Sequence, residues 1–249
     1  MRVTPCLGIA ASLQFGIGSA YDCHVYAICT RDGIVLIDSG CGGAATDILG
    51  ELSTDFPSVP LKAIVLTHAH VDHFGGAAHL QRLGAVQVFA SDCSRPVVLS
   101  GDETACGLTE ARQMGIYPQD LRLSACRHVE TFSDGQPFDV LGHTFHPIRV
   151  RGHSDDSHCL LTEVSGKRCV FTGDTIFYGG ILGVINRPDS GMQGYRCDIK
   201  KLSNLNVEGL FPGHGLFTLR RGQAHIDLAI EQAHKGFLPR QIGQWDIMF

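Results

Sequence analysis

Thr67-His68-Ala69-His70-Val71-Asp72-His73-Phe74-Gly75-Gly76 is the stretch on which the reading of this chain turns. It follows the brief apolar run Ala63–Leu66, read as a buried strand, and places His68, His70, Asp72 and His73 within six residues. A metal centre needs ligands that converge from a rigid base, and a strand end followed by a turn supplies one. Neutral imidazoles and a carboxylate suit zinc and other first-row divalent cations. A single histidine after a strand is ordinary; an H-x-H-x-D-H cluster in that place points to a metal site.

Three further positions repeat the context. His153 stands in Arg151-Gly152-His153-Ser154 after the run ending at Val150. Asp174 follows Phe171-Thr172-Gly173, and His214 follows Phe211-Pro212-Gly213. Each succeeds an apolar run and sits beside glycine, which lets backbone come close.

Working outward, His24–Thr30 and Gly33–Asp38 read as strands of a hairpin turning at Arg31-Asp32. Ala45–Leu52 and Gly76–Leu83 pattern as helices, and Val86–Ala90 as a strand. Ser100-Gly101-Asp102-Glu103 has the S-x-x-E form of a capping box and predicts a helix within Gly101–Met114. The polar, irregular stretch around 91–134 is expected to be a lid or insertion. Beyond it, Pro137–Leu141, Thr144–Val150, His158–Val164 and Arg168–Thr172 read as strands, with turns at Gly142-His143 and Ser165-Gly166. Lys200–Leu205 and Gly222–His234 read as helices around a last strand, Val207–Phe211. Two β-rich halves, each followed by helices and with no linker between them, predict an α/β chain of one domain: a sandwich of two sheets with helices on both outer faces.

Composition narrows the function classes. The 249 residues are 44% hydrophobic and 18% charged, with a formal net charge of -5, so the chain has ample material for a core and no basic nucleic-acid footprint. No apolar run reaches the roughly 18 residues of a membrane helix. The ten cysteines are scattered without a C-x-x-C pair, which predicts a reduced, cytoplasmic protein. Cys6–Ala20 faintly resembles a secretory signal, but polar and glycine breaks make its apolar region poor.

H-x-H-x-D-H, then Gly-His, Gly-Asp and Pro-Gly-His, with spacings of 80, 21 and 40 residues after His73, resembles the metallo-β-lactamase-fold superfamily in its glyoxalase II-like hydrolase branch. The resemblance covers Tyr21 to Gly215 and implies an αββα four-layer sandwich. It also implies two adjacent divalent cations, with zinc expected ahead of iron or manganese. His68, His70 and His153 would hold one; Asp72, His73 and His214 the other; Asp174 would bridge them. Asp72 and Asp174 are the expected catalytic carboxylates. Asp38 matches an acid behind the ligands, expected to orient their loop by hydrogen bonds. The implied activity is hydrolysis of an ester, thioester or lactone-type carbonyl by a metal-bridging hydroxide.

Departures shape the substrate expectation. The family's Pro-Gly turn after the third histidine is replaced by Ser154-Asp155-Asp156-Ser157, where the acids are expected to cap a turn. The 35 residues after His214 are too few for the helical domain that binds glutathione thioesters in glyoxalase II itself. A cysteine commonly stands at the Asp174 position in the antibiotic-hydrolysing members, which points away from β-lactams. Alternatives of other classes are a mono-iron persulfide dioxygenase, a phosphodiesterase or nuclease of the same fold, and a non-catalytic metal-binding module. The expected partner is a small-molecule substrate, with neither nucleic acid nor membrane. Tyr178 and Tyr195 read first as packed aromatics and second as donors to a developing oxyanion, and Arg187 first as a solvated loop arginine and second as a carboxylate contact. His24 and His79 read as structural.

Overall fold

The computed structural model describes residues 1–235. Two sheets lie face to face between two helical layers, and three apolar cores separate the four layers. The first sheet runs in chain order: β1 (Arg2–Thr4), β2 (Leu7–Ala11), β3 (Val25–Cys29), β4 (Ile34–Ile37), β5 (Leu61–Val65), β6 (Gln87–Ser91) and β7 (Glu130–Phe132). Its first four strands pair antiparallel and the last four parallel. The crossovers carry α1 (Ala45–Asp55), α2 (Val71–Phe74), α3 (Ala77–Leu83), α4 (Arg95–Ser100) and α5 (Leu108–Gln113).

The second sheet has β8 (Phe138–Val140), β9 (His143–Arg149), β10 (His158–Val164), β11 (Lys167–Gly173) and β14 (Gly209–Pro212), in the order β14-β11-β10-β9-β8. A small hairpin, β12 (Ile176–Phe177) with β13 (Ile181–Leu182), precedes α6 (Met192–Asp198) and a turn of 3-10 helix (Ile199–Leu202). The last described helix is α7 (Gly222–His234).

A period of two sorts the side chains. Tyr26 and Ile28 of β3, Val35 and Ile37 of β4, and Ala63 and Val65 of β5 enter the core between the sheets. Val25, Ala27, Ile34, Leu36 and Ile64 face the first helical layer, where Ile48, Leu52 and Phe74 meet them. Across the second sheet, Phe145, Leu160 and Phe171 point inward, while Val170 and Leu210 face Ile199 and Ile226. Burial on both faces explains why these strands read as continuous apolar runs.

Two expectations are corrected, the helix start at Ser100 and the place of the β8–β9 turn. Ser100 does not start a helix: it ends α4, and Gly101 closes it in the left-handed region at φ 64°. The helix that follows is only Leu108–Gln113, because Asp102 Oδ1 accepts from the amides of Thr104 and Ala105 and bends the chain first. The apolar stretch likened to a secretory signal contains β2, buried along its length and paired with both β1 and β3. The β8–β9 turn falls at Leu141-Gly142, both at positive φ, one residue before the expected place.

Among the described residues no helix is long and apolar enough to cross a membrane.

Candidate metal centre

Strand direction gathers the site. β9 and β11 each pair antiparallel with β10, and β14 pairs parallel with β11, so β9, β11 and β14 point the same way. The segments leaving their C-terminal ends carry His153, Asp174 and His214. β5 of the facing sheet delivers His68 and His70, and the short α2 carries Asp72 and His73. All seven sequence-predicted residues meet at this edge.

They form two groups. In the first, His70 Nδ1 lies 3.1 Å from His68 Nε2 and 2.8 Å from His153 Nε2. In the second, His214 Nε2 lies 3.0 Å from Asp72 Oδ2, and His73 Nε2 lies 3.5 Å from that same oxygen. Asp174 stands between them: its Oδ2 is 3.7 Å from His153 Nε2 and 3.6 Å from His214 Nε2, and its Oδ1 is 3.3 Å from His73 Nε2.

Hydrogen bonds behind the rings set the tautomers. Asp38, buried at φ 62°, accepts from the Thr67 amide on Oδ1, and from Thr67 Oγ1 and His73 Nδ1 on Oδ2, each at 2.8 Å. With the Thr67 hydroxyl proton given to Asp38, Thr67 Oγ1 accepts from His68 Nδ1 at 3.0 Å. His153 Nδ1 donates to the Gly183 carbonyl at 2.6 Å. The Nε2 lone pairs of His68, His73 and His153 therefore all point inward. The His73 Nε2 lone pair faces carboxylate oxygens of Asp72 and Asp174 at 3.5 and 3.3 Å, acceptors that repel unless a proton or cation lies between them. The buried His73 Nε2 and Asp174 Oδ1 have no hydrogen-bond partner, as expected of atoms built to ligate. The donor set thus fits two divalent cations.

The electrostatics divide the two groups. Against the opposing effect of burial, Cys23 and the surrounding carboxylates raise His73, and Asp174 and Asp72 raise His214. A cation entering the second group therefore displaces protons, whereas His68 and His70 of the first are already neutral. Burial first, and then the other histidines, hold His68 well below the usual imidazole range and His70 down at about 4. Burial pushes the Asp72 carboxyl up, but His73 and His214 outweigh it and hold it at about 2. Neutral imidazoles and ionised carboxylates are the forms that bind metal.

The expected turn acids do more than cap a turn. Asp156 Oδ1 accepts from Ser154 Oγ at 2.6 Å within the turn, but its Oδ2 accepts from the Ala69 amide at 2.9 Å and from Ser94 Oγ at 2.8 Å. One carboxylate thereby ties the His68–His70 segment to the His153 turn and to the start of α4. Asp155 is exposed, and only its carbonyl is engaged, by Arg149.

Neither candidate tyrosine reaches the centre as a donor. Tyr195 is fully buried; its hydroxyl donates to the Thr175 carbonyl and accepts from the Gly183 amide, and its ring packs on Gly152. Tyr178 packs on His225 at the surface. His24 bonds Ser12 Oγ and the Gly215 carbonyl, each at 2.8 Å, and so supports the turn after His214.

A chamber of about 570 Å³ opens over the centre, with His70, Asp72, His153 and Asp174 in its floor. Its walls come from the 91–134 segment, through Cys106, Ala111, Met114, Ile116 and Tyr117, and from Ile185–Pro188. Met114 and Ile116 are 65% and 56% exposed, large apolar groups that an occupant would cover. Tyr117 was not singled out in the sequence; it lines the chamber together with Asp72, and burial followed by that carboxylate raises its phenol well above the usual range. Arg187 lines the chamber but is held by Asp189 Oδ1 at 3.1 Å and the Ala105 carbonyl at 3.2 Å, pinning one wall to the other.

A four-layer αββα sandwich with a His/Asp cluster at one sheet edge defines a metallohydrolase-type architecture. The metallo-beta-lactamase superfamily model matches residues 18–214, and the chain belongs to that superfamily. FEZ-1 metallo-beta-lactamase from Legionella gormanii shares the fold at a TM-score of 0.69 and 16% identity, over 94% of this chain and 93% of that one. Among curated relatives, an atrochrysone carboxyl ACP thioesterase of Aspergillus fumigatus is 26% identical over 200 residues, 77% of this chain and 50% of the relative. A probable polyketide biosynthesis zinc-dependent hydrolase of Bacillus velezensis, BaeB, is 29% identical over 159 residues, 64% of this chain and 56% of the relative. The chain spans about half the length of these curated relatives.

Proposed function

We propose that this chain is a dinuclear metal-dependent thioesterase that hydrolyses an apolar acyl thioester. The observation that carries the reading is the pair of ligand groups with Asp174 between them beneath an apolar chamber. His68, His70 and His153 would hold one cation and Asp72, His73 and His214 the other, with the Asp174 carboxylate available to both groups and zinc the first choice for this N/O donor set. When bound, such cations supply an activated water near neutral pH and polarise the scissile carbonyl.

The protein does the rest. Asp38 and the Gly183 carbonyl hold the imidazoles with their lone pairs inward. Met114, Ile116 and Ile185 exclude water from the acyl group. Tyr117, beside Asp72 in the chamber lining, stands where a donor to the developing oxyanion or departing sulfur is needed. The curated relatives named as thioesterases support a thioester over a lactone. The complete second ligand group favours two cations over the mono-iron dioxygenase, which needs only the first group and Asp174. The ten unpaired cysteines suit a reducing compartment, and we place the protein in the cytoplasm.

The test is hydrolysis of acyl thioesters, followed by release of free thiol. The proposal predicts turnover that chelation abolishes and zinc restores. Absence of turnover on every thioester by protein carrying two zinc ions would refute it.

A further inference from the structure

A thioester has two ends, and the chamber accommodates one of them. Its apolar walls suit the acyl group and leave the thiol arm to exit. A second cavity of about 490 Å³ begins on the other side of an aromatic partition made by Tyr21 and Tyr117, whose ring centroids lie 5.6 Å apart. Tyr117 faces the chamber, while Tyr21 and the adjacent Pro118 face this groove. The groove floor is the Cys41–Gly43 backbone, which packs against Gly75 and Gly76 just past the ligand segment; the Gly76 amide donates to the Gly40 carbonyl at 2.9 Å.

The groove's charge is opposite to that of the whole molecule. The chain carries a formal net charge of -5, yet Arg82, Arg122 and His79 line this groove against a single acid, Asp120. Among the described residues neither arginine has an acidic partner. Arg122 donates to the Gln119 and Leu121 carbonyls and makes no ion pair within 4 Å among the described residues. Two guanidinium groups and an imidazole beside a side-chain-poor floor form a cradle for a phosphate on a narrow arm.

We propose that this groove binds the phosphate of a phosphorylated thiol arm, of the phosphopantetheine type, whose acyl group occupies the chamber across the Tyr21–Tyr117 partition. The inference rests on the thioesterase reading and names the leaving half of its substrate. The arm is shared by free coenzyme A thioesters and by acyl groups carried on a protein.

The test compares one octanoyl group on pantetheine, on 4′-phosphopantetheine, on coenzyme A and on a carrier protein. Pantetheine and 4′-phosphopantetheine differ by the phosphate alone. Wild-type protein is expected to show a KM about tenfold lower for the phosphorylated arm at equal kcat, a gap that shrinks as salt screens the arginines. The R82A/R122A double variant should raise the KM of the phosphorylated thioester to that of the pantetheine thioester and leave the latter unchanged. D120N should lower the KM of the phosphorylated thioester only. A lower KM for coenzyme A or for the carrier protein would identify the source of the arm, and either supports the site. Equal KM values for the two pantetheine arms in wild type, or an equal loss on both in the double variant, would overturn it. Titration calorimetry with free 4′-phosphopantetheine and pantetheine tests the groove without turnover, since any contact of the thiol with metal is common to both. Tighter binding of the phosphorylated arm alongside absent hydrolysis would support the groove and refute the thioesterase reading. Equal binding would refute the groove alone.

Discussion

Replacing Asp156 with alanine should loosen the metal centre from behind, although Asp156 is not placed among the ligands. Its carboxylate accepts three hydrogen bonds, from the Ala69 amide, Ser94 Oγ and Ser154 Oγ, at 2.9, 2.8 and 2.6 Å. Burial alone would raise this carboxyl; the hydrogen bonds from Ser154, Ser94 and Ala69 outweigh it and hold it below the usual range. Hydrogen bonds to a charged group contribute about 1.5–3 kcal/mol each, but the two serines can turn to each other or to water. Ser154 Oγ already lies 2.6 Å from Ser157 Oγ, and Ser94 Oγ 2.8 Å from Ser91 Oγ. The Ala69 amide has no such alternative and bears the main loss, so the expected cost for Asp156→Ala is about 2–4 kcal/mol of folding stability. Because Ala69 separates His68 from His70, the first ligand group should also spread. Groups that orient ligands typically cost about 10–100-fold in metal affinity when removed. The assay is zinc competition against a chromogenic chelator, alongside urea unfolding of metal-free protein. Zinc affinity within about twofold of wild type in a folded Asp156→Ala protein would refute the reasoning; Asp156→Asn, which keeps one acceptor oxygen, should fall between.

Other predictions follow from the same contacts. Asp174→Ala and His70→Ala should each abolish turnover and lower metal content, checked by thiol release and elemental analysis; near-normal turnover at full occupancy would contradict the site. Gly152→Ala should destabilise the fold by about 1–3 kcal/mol and weaken metal binding, since a Cβ there would overlap the Tyr195 ring next to His153, at φ 144°. Asp198 accepts from Arg151 Nε at 2.6 Å; against the opposing effect of burial, Arg151 and Lys201 hold its carboxyl at about 2. Its folded value is depressed, so its contribution is present above about pH 4 and is lost as pH falls toward 2. With screening at the half-exposed Arg151 and Lys201, that amounts to about 1–2 kcal/mol. The stability gap between wild type and Asp198→Asn, measured on metal-free protein, should narrow only below pH 4. Tyr117→Phe should lower kcat about tenfold with unchanged metal content, the effect of one lost hydrogen bond of about 1.4 kcal/mol at the reacting carbonyl; an unchanged kcat would remove the phenol from the reaction.

The seven site residues were legible because His68, His70, Asp72 and His73 crowd into six residues after a strand, and His153, Asp174 and His214 each follow a strand beside glycine, local patterns that need no knowledge of distant contacts. Asp38 was legible as an acid ending a strand in the place where the family resemblance expects one. Asp156 was visible as a departure, but its reach to Ala69 spans 87 residues and leaves no trace in local spacing. Tyr117 lies in a segment without periodicity, and only the crossover from β6 to β7 brings it over the centre. Tyr178 and Tyr195 drew notice as donors because they follow Asp174 closely in sequence, but they are the packed aromatics that the sequence reading favoured: the β12–β13 hairpin turns the chain toward α7 before either could face the chamber. The S-x-x-E pattern at Ser100 failed on backbone geometry: Gly101 takes the left-handed conformation that ends a helix. β1 and β2 were missed because short strands among glycines and polar residues give weak alternation.

The central claim is that the seven ligands hold two cations, and elemental analysis of untagged protein, purified without chelator or added metal, tests it most directly. The account predicts two zinc ions per chain, falling in Asp174→Ala. One iron per chain, with the second ligand group empty, would contradict it.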